Sequence, residues 1–400
     1  MSGKNGCSIA FFYPHPLCEV LGGTERVTCT LADALERRGH KVFFVAYEES
    51  RGRRVCENAD YARQHFIPRR EIRKAFPRFV REHEIACVVY QDGAVPLPFS
   101  RLRELGCRLV VALHYPPDFY TENYWKIFLE KHLPRPLKPL AEFFRKTPLN
   151  ALGLVLLRRR IGRVYSVSLA ECDAFVLLSK RFFPRFREML GEKSFEAFRK
   201  KIHAIPNPSV PAAVPAGTRK KRELLYVGRL ENGQKRVDLL LRIWLALEAE
   251  FPEWRLRIVG SGPDAEGLRT LAGTLGLTRA SFEGFRDPAP YYRDAAIFCM
   301  PSAFEGFGLV LTEAMSAGCV PVAFLSEKTA VFEDIVADSE SGVLVPEGDC
   351  EGYARALASL MRDAALRERL SVAARERAAA FAPEKIAERW EEFFSEKSFE

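Results

Sequence analysis

Short runs of β-branched and aromatic residues alternate with helix-length segments through the first half of the chain, at 8–14, 42–47, 86–91, 108–114 and 174–179. That rhythm predicts a parallel sheet covered by helices on both faces. It restarts after a break, with strands expected at 223–229, 255–261, 280–285, 297–302, 320–324 and 342–346. The fold class is therefore α/β, built as two doubly wound, Rossmann-like domains. Between them Pro206, Pro208, Pro211 and Pro215 forbid a helix, and small or basic residues fill the gaps, so this stretch reads as a linker. The expected domains are 1–207 and 208–383. Pro383 starts a last helix, and the segment 384–400 is expected to pack back on the first domain. Open parallel sheets bind ligands outside the carboxyl ends of their strands, so with two sheets the expected site is a cleft between them.

Candidate chemistry follows those strand ends. After the strand at 297–302, residues Glu305 to Gly318 read EGFGLVLTEAMSAG, a loop, a helix and a small-residue stop. Glu305 falls in the loop and Glu313 about one and a half turns into a helix starting near Gly308, which lets two carboxylates address different parts of one extended ligand. The N–H groups of Phe307, Gly308 and Leu309, with the positive end of the helix, suit a diphosphate. Carboxylates repel phosphate, so Glu305 and Glu313 should meet neutral hydroxyls, as on a sugar and a ribose. The bland alternatives are a helix-capping carboxylate and a solvated helix face. The strand at 223–227 runs into Gly228, Arg229 and Leu230, with Lys235 six residues beyond Arg229. Two cations there would neutralise a diphosphate and stabilise it as it leaves, where the alternative is a basic surface loop. In the first domain, Gly22 and Gly23 at a helix start suit a phosphate-approaching turn or merely a loop. His114 ends the strand at 108–114, just before Asp118, as a cleft-edge imidazole or a structural hydrogen bonder.

Composition sharpens the class. The chain has 400 residues, of which 28% are charged and 48% hydrophobic, an ordinary globular balance. Its ten cysteines show neither CxxC pairs nor metal-ligand spacing, which fits reduced thiols in the cytoplasm. No signal peptide or anchor is read at the N-terminus, and the longest later apolar stretch, 149–157, is about half of what a spanning helix needs. The net charge is +8, and ten Lys or Arg against Glu130 and Glu142 fall within 126–163. Interleaved aromatics such as Tyr124, Trp125 and Phe128 make this a candidate for an anionic membrane face, which would place the protein peripherally on the inner side of the cytoplasmic membrane. A solvated helix with its aromatic side in the core is the equal alternative. Nucleic acid is not expected, since no binding motif accompanies the charge.

With these residues in place, the chain resembles the retaining glycosyltransferases of family 4, the group 1 glycosyl transferases. The resemblance is most specific from 223 to about 348, through GlyArgLeu with Lys235, the turn at 258–263 and Glu305 with Glu313. GlyGlyThrGlu at 22–25 and ProAsnPro at 206–208 extend it. The resemblance implies the GT-B fold, a retaining outcome, a nucleotide-diphosphate sugar (foremost a UDP-sugar) as co-substrate, and no metal or other cofactor. By it, Arg229 and Lys235 contact the donor phosphates, Glu305 the sugar and Glu313 the ribose, with His114 near the transferred sugar. The chain departs from the family pattern at Arg236, where glycine is frequent, and at Gly306, where proline is as common. The expected acceptor is a membrane-associated glycan or glycolipid, as in lipopolysaccharide or polysaccharide synthesis. A sugar-nucleotide epimerase and a non-catalytic nucleotide-sugar-binding module are the alternatives.

Overall fold

The computed structural model describes residues 6–14, 22–48, 64–91, 100–122, 148–212, 214–215 and 218–394. The chain forms two units, Met1–Pro206 with Ala387–Glu400, and Asn207–Ile386. Most of the basic aromatic stretch, 126–147, and the tail 395–400 lie outside the described residues.

The first unit holds a sheet of seven strands: β1 (Ser8–Tyr13), β2 (Lys41–Glu48), β3 (Gln64–Pro68), β4 (Ile85–Tyr90), β5 (Arg108–Ala112), β6 (Ala174–Leu177) and β7 (Ile202–Ala204). All neighbours are parallel, in the order β3-β2-β1-β4-β5-β6-β7. Central β1 is apolar without alternation, and Ile9, Ala10, Phe11 and Phe12 are fully buried, as a strand covered on both faces requires. The C-terminal helix Pro383–Glu391 and the turn after it tie onto this unit. Glu391 accepts from Arg38 at 2.6 Å and lies 3.3 Å from His40 Nε2, while Phe393 meets the His203 ring edge-on at 5.0 Å.

The second unit holds six parallel strands: β8 (Lys221–Val227), β9 (Arg255–Val259), β10 (Ala280–Gly284), β11 (Ala295–Met300), β12 (Val320–Leu325) and β13 (Val343–Pro346), in the order β10-β9-β8-β11-β12-β13. The helix Val237–Glu248 places Val237, Leu240, Leu241, Trp244 and Leu247 on one stripe against the sheet, the spacing that a 3.6-residue period demands. Tyr353 is wholly buried and pins the ends of two strands: it accepts from the Met300 N–H at 3.1 Å and donates to the Val322 carbonyl at 2.5 Å.

Several expectations need correction. Strands β3 and β7 were not foreseen: one is half-exposed and the other has three residues, so neither carries a long apolar run. The strand expected at 108–114 ends at Ala112, which leaves His114 two residues beyond it. Leu113 is buried and its N–H still bonds the Val176 carbonyl, so the sequence shows no break there. The boundary between the two units falls at the proline-rich stretch read as a linker, and its first residues are packed. Asn207 and Ser209 are buried, the Ser209 N–H bonds the Phe381 carbonyl, and the Ala212 N–H donates to Ser316 Oγ at 2.8 Å.

Candidate functional site

In each sheet the strand order reverses once, between β1 and β4 and between β8 and β11. Connections leave such a pair in opposite directions, opening a crevice at the carboxyl ends. In the second unit, the loops that follow β8 and β11 carry Gly228 to Lys235 and Pro301 to Gly308.

The β8 loop is shaped by its neighbour. A Cβ on Gly260, where φ is +140°, would lie 1.9 Å from the Gly228 carbonyl oxygen, so the turn after β9 must be glycine to approach this closely. The Leu230 N–H bonds the Ser261 carbonyl at 2.8 Å. Tyr226 donates its hydroxyl to the Arg229 carbonyl at 3.0 Å. Burial pushes that phenol well above its ordinary range, with Glu305 adding to the shift, so it remains a donor. Arg229 itself stays 59% exposed; its guanidinium reaches Glu231 at 2.7 Å and Gln234 Oε1 at 3.1 Å. A single helical turn, Asn232–Lys235, then turns Lys235 inward.

Lys235 Nζ meets Glu305 Oε1 at 2.5 Å, with only 14% and 8% of the two side chains exposed. Gln234 ties the same two loops by donating to the Phe304 carbonyl and accepting from the Ala303 N–H at 2.8 Å. Glu305 is further fixed by its own N–H on the Lys328 carbonyl. Beyond it, Gly308 takes φ +96° and opens the helix Leu309–Ser316. The Phe307 side chain packs edge-to-face on Phe381, leaving its backbone to face the loop. Among the described residues, the N–H groups of Phe307, Gly308 and Leu309 donate no hydrogen bond to protein acceptors.

Arg229, Lys235 and Glu305 thus form one network through Glu231 and Gln234, two residues that the motif reading did not single out. Their only sequence signal is position within the turn after Arg229. Glu313 stands apart from the network: Tyr292 donates its hydroxyl to the Glu313 carboxylate at 3.0 Å, so this side chain is held rather than simply solvated. In the first unit, His114 Nε2 is hydrogen-bonded to Gln91 Oε1, which follows β4 at the reversal point. Asp118 pairs with Arg185, and both are largely buried. Gly22 caps the helix Gly23–Arg37 in an extended conformation, and a Cβ on it would lie 2.4 Å from Glu25 Oε2. A carboxylate therefore occupies the space beside that helix start. No disulfide joins any of the eight cysteines among the described residues.

Residues 221–363 match the family model described as glycosyl transferases group 1. The second unit carries this transferase segment. The match contains Arg229, Lys235, Glu305 and Glu313 and bears out the resemblance that those residues suggested. An uncharacterized glycosyltransferase of Haemophilus influenzae is 27% identical over 380 residues, covering 92% of this chain and 95% of that protein. Two further curated relatives, 32% and 39% identical, are spanned over only 25% and 38% of their own length. Among solved structures, the lipopolysaccharide outer core galactosyltransferase WaaB superposes with a TM-score of 0.64 at 19% identity, over 96% of this chain and 98% of that one. Anabaena Alr3699/HepE, solved with UDP and glucose, superposes with a TM-score of 0.68 at 16% identity, over 96% and 98%. At these identities the likeness is one of fold. The transferase segment belongs to a chain with the GT-B fold of two Rossmann-like domains. No helix among the described residues is long and apolar enough to cross a membrane.

Proposed function

We propose that the protein is a retaining, metal-independent glycosyltransferase of family 4, moving a hexosyl or N-acetylhexosaminyl group from a UDP-sugar to a membrane-associated glycan or glycolipid. The observation that carries this reading is the network of Arg229, Lys235 and Glu305 at the carboxyl ends of β8 and β11, beside three N–H groups that bond no acceptor among the described residues. A diphosphate placed there meets two cations and a helix N-terminus. The Lys235 ammonium has three protons, so it can keep Glu305 and still bind a phosphate oxygen. Glu305, held rigid by Lys235 and by its own backbone, is then positioned for the sugar hydroxyls, with Glu313 for the ribose.

As the bond between anomeric carbon and phosphate breaks, negative charge grows on the leaving diphosphate, and Arg229, Lys235 and the helix N-terminus stabilise it most in the transition state. A front-face route, in which the leaving phosphate takes the acceptor proton, accounts for retention without a second carboxylate flanking the sugar. UDP as the donor nucleotide is supported by the UDP and glucose in the solved HepE structure, and a lipopolysaccharide-type acceptor by the name of the galactosyltransferase neighbour. A peripheral position on the cytoplasmic membrane is supported by the helix Pro148–Glu171, where Leu152, Val155 and Leu156 are 58%, 46% and 57% exposed next to exposed Arg159 and Arg160.

Purified protein incubated with radiolabelled UDP-sugars and bacterial lipid extract tests the reading. Transfer of label to the lipid fraction, in the anomeric configuration of the donor and undiminished by EDTA, is the expected result. Conversion of the UDP-sugar to its epimer without any acceptor would identify an epimerase instead, and binding without turnover a non-catalytic module.

A further inference from the structure

The amino ends of the second unit's strands carry a cavity of about 510 Å³, lined from the residues before and at the start of β8, the start of β11, Gly318 before β12 and the helix Ala364–Ala378. β8 separates it from Arg229 by seven residues, about 20 Å of extended chain. The cavity is therefore distinct from the candidate donor site and stands independently of the transfer reading.

Its lining is strongly cationic, with six Lys or Arg side chains against Glu368 alone. Two of the six are neutralised: Lys221 meets Asp294 at 2.6 Å and Arg222 meets Glu253 at 3.3 Å. The remaining four have no carboxylate partner among the described residues. Lys220 donates to the Tyr292 carbonyl at 2.8 Å, and Arg367 lies over the Trp254 ring at 5.1 Å and donates to the Met361 carbonyl at 3.0 Å. The guanidinium groups of Arg219 and Arg375 make neither a hydrogen bond nor an ion pair with described residues, and a Cβ on Gly318 would lie 2.4 Å from Arg375 Nε, so that guanidinium lies against the backbone there. Four cations around one half-enclosed space repel one another; Lys220, Arg367 and Arg375 are half-buried and Arg219 is exposed. Burial, and Arg375 nearby, act to lower the Lys220 ammonium below its usual range, while burial, helped by Arg222, does the same for Arg367.

We infer that this cavity binds an anion bearing two or more phosphate groups. One phosphate would fill only a small part of the volume, and two or more could reach Arg219, Lys220 and Arg375 together. Guanidinium forks suit phosphate oxygens, and a shared anion removes the repulsion that the protein leaves uncompensated.

The test is calorimetric titration of the full chain with pyrophosphate and tripolyphosphate, in parallel with flotation on vesicles containing anionic phospholipid. Tripolyphosphate should bind, with inorganic phosphate much weaker. With the candidate donor site weakened by Arg229→Ala, tripolyphosphate should still bind, and adding Arg219→Gln/Arg375→Gln in that background should weaken it at least tenfold with an unchanged Tm. The charge reversal Arg219→Glu, at an exposed position, repeats the test should the double variant fold poorly. Vesicle flotation that depends on Arg219 and Arg375, without tripolyphosphate binding, would make a lipid headgroup the source of the phosphates. No tripolyphosphate binding to Arg229→Ala, binding there that is unchanged by Arg219→Gln/Arg375→Gln, or no binding in either arm, would overturn the inference.

Discussion

Lys235 and Glu305 lie 70 residues apart in sequence and meet as a nearly buried ion pair, whereas Arg229 is mostly exposed beside Glu231. The two cations therefore predict different behaviour when removed. Losing one partner of a buried pair costs about 3–5 kcal/mol, because the other charge is stranded. Lys235→Ala should lower Tm by several degrees together with turnover, and the combination Lys235→Met/Glu305→Gln should recover much of the stability but no activity. An exposed pair is worth at most about 1 kcal/mol. Arg229→Ala should therefore leave Tm nearly unchanged while reducing kcat at least a hundredfold; thermal denaturation alongside UDP release separates the two outcomes. The motif spacing located these side chains but not their partners. Glu231, Gln234 and Tyr292 are ordinary residues in turns and short helices, and their roles follow from which loops the sheet brings together.

The elements around the site are held by backbone proximity and by buried hydroxyls. Gly260→Ala would force a methyl group into the Gly228 carbonyl and strain a φ of +140°, costing about 2 kcal/mol or more. It should also weaken donor binding without touching the donor, which titration with UDP would register. Tyr353→Phe should cost about 1–3 kcal/mol by leaving the buried Met300 N–H and Val322 carbonyl unpaired, visible as a lower urea midpoint. The contact between His203 in β7 and Phe393 after the C-terminal helix should make stability depend on pH. Burial, helped by Arg199, holds the His203 imidazole below its usual pKa, so folding favours the neutral ring. That stability is present above the unfolded value near 6.5 and lost as the pH falls from there toward the folded value. The Tm of the wild type should drop between pH 7.5 and 5.5 by more than that of His203→Gln. Strands were legible to within one or two residues wherever they were apolar and central. Edge strands β3 and β7 were not, since an edge need not be hydrophobic.

At the scale of the molecule, the restart of the strand and helix rhythm after residue 222 was enough to foresee two parallel α/β units, and both sheets reverse strand order where motifs follow the strands. The recipient was less legible. Arg229, Lys235 and the N–H groups of Phe307, Gly308 and Leu309 suit an anion by charge and geometry, while acceptor recognition has no comparable local signature. The exposed apolar stripe of the helix Pro148–Glu171 gives one handle: Leu152→Ser/Leu156→Ser should reduce flotation with anionic liposomes without changing UDP binding. The central claim, a nucleoside diphosphate held by the second unit, is tested most directly by calorimetric titration of UDP into the wild type and Arg229→Ala. Micromolar binding to the wild type, weakened at least tenfold in the variant, is expected; no binding of UDP, or equal binding by both proteins, would rule out a nucleoside diphosphate at Arg229.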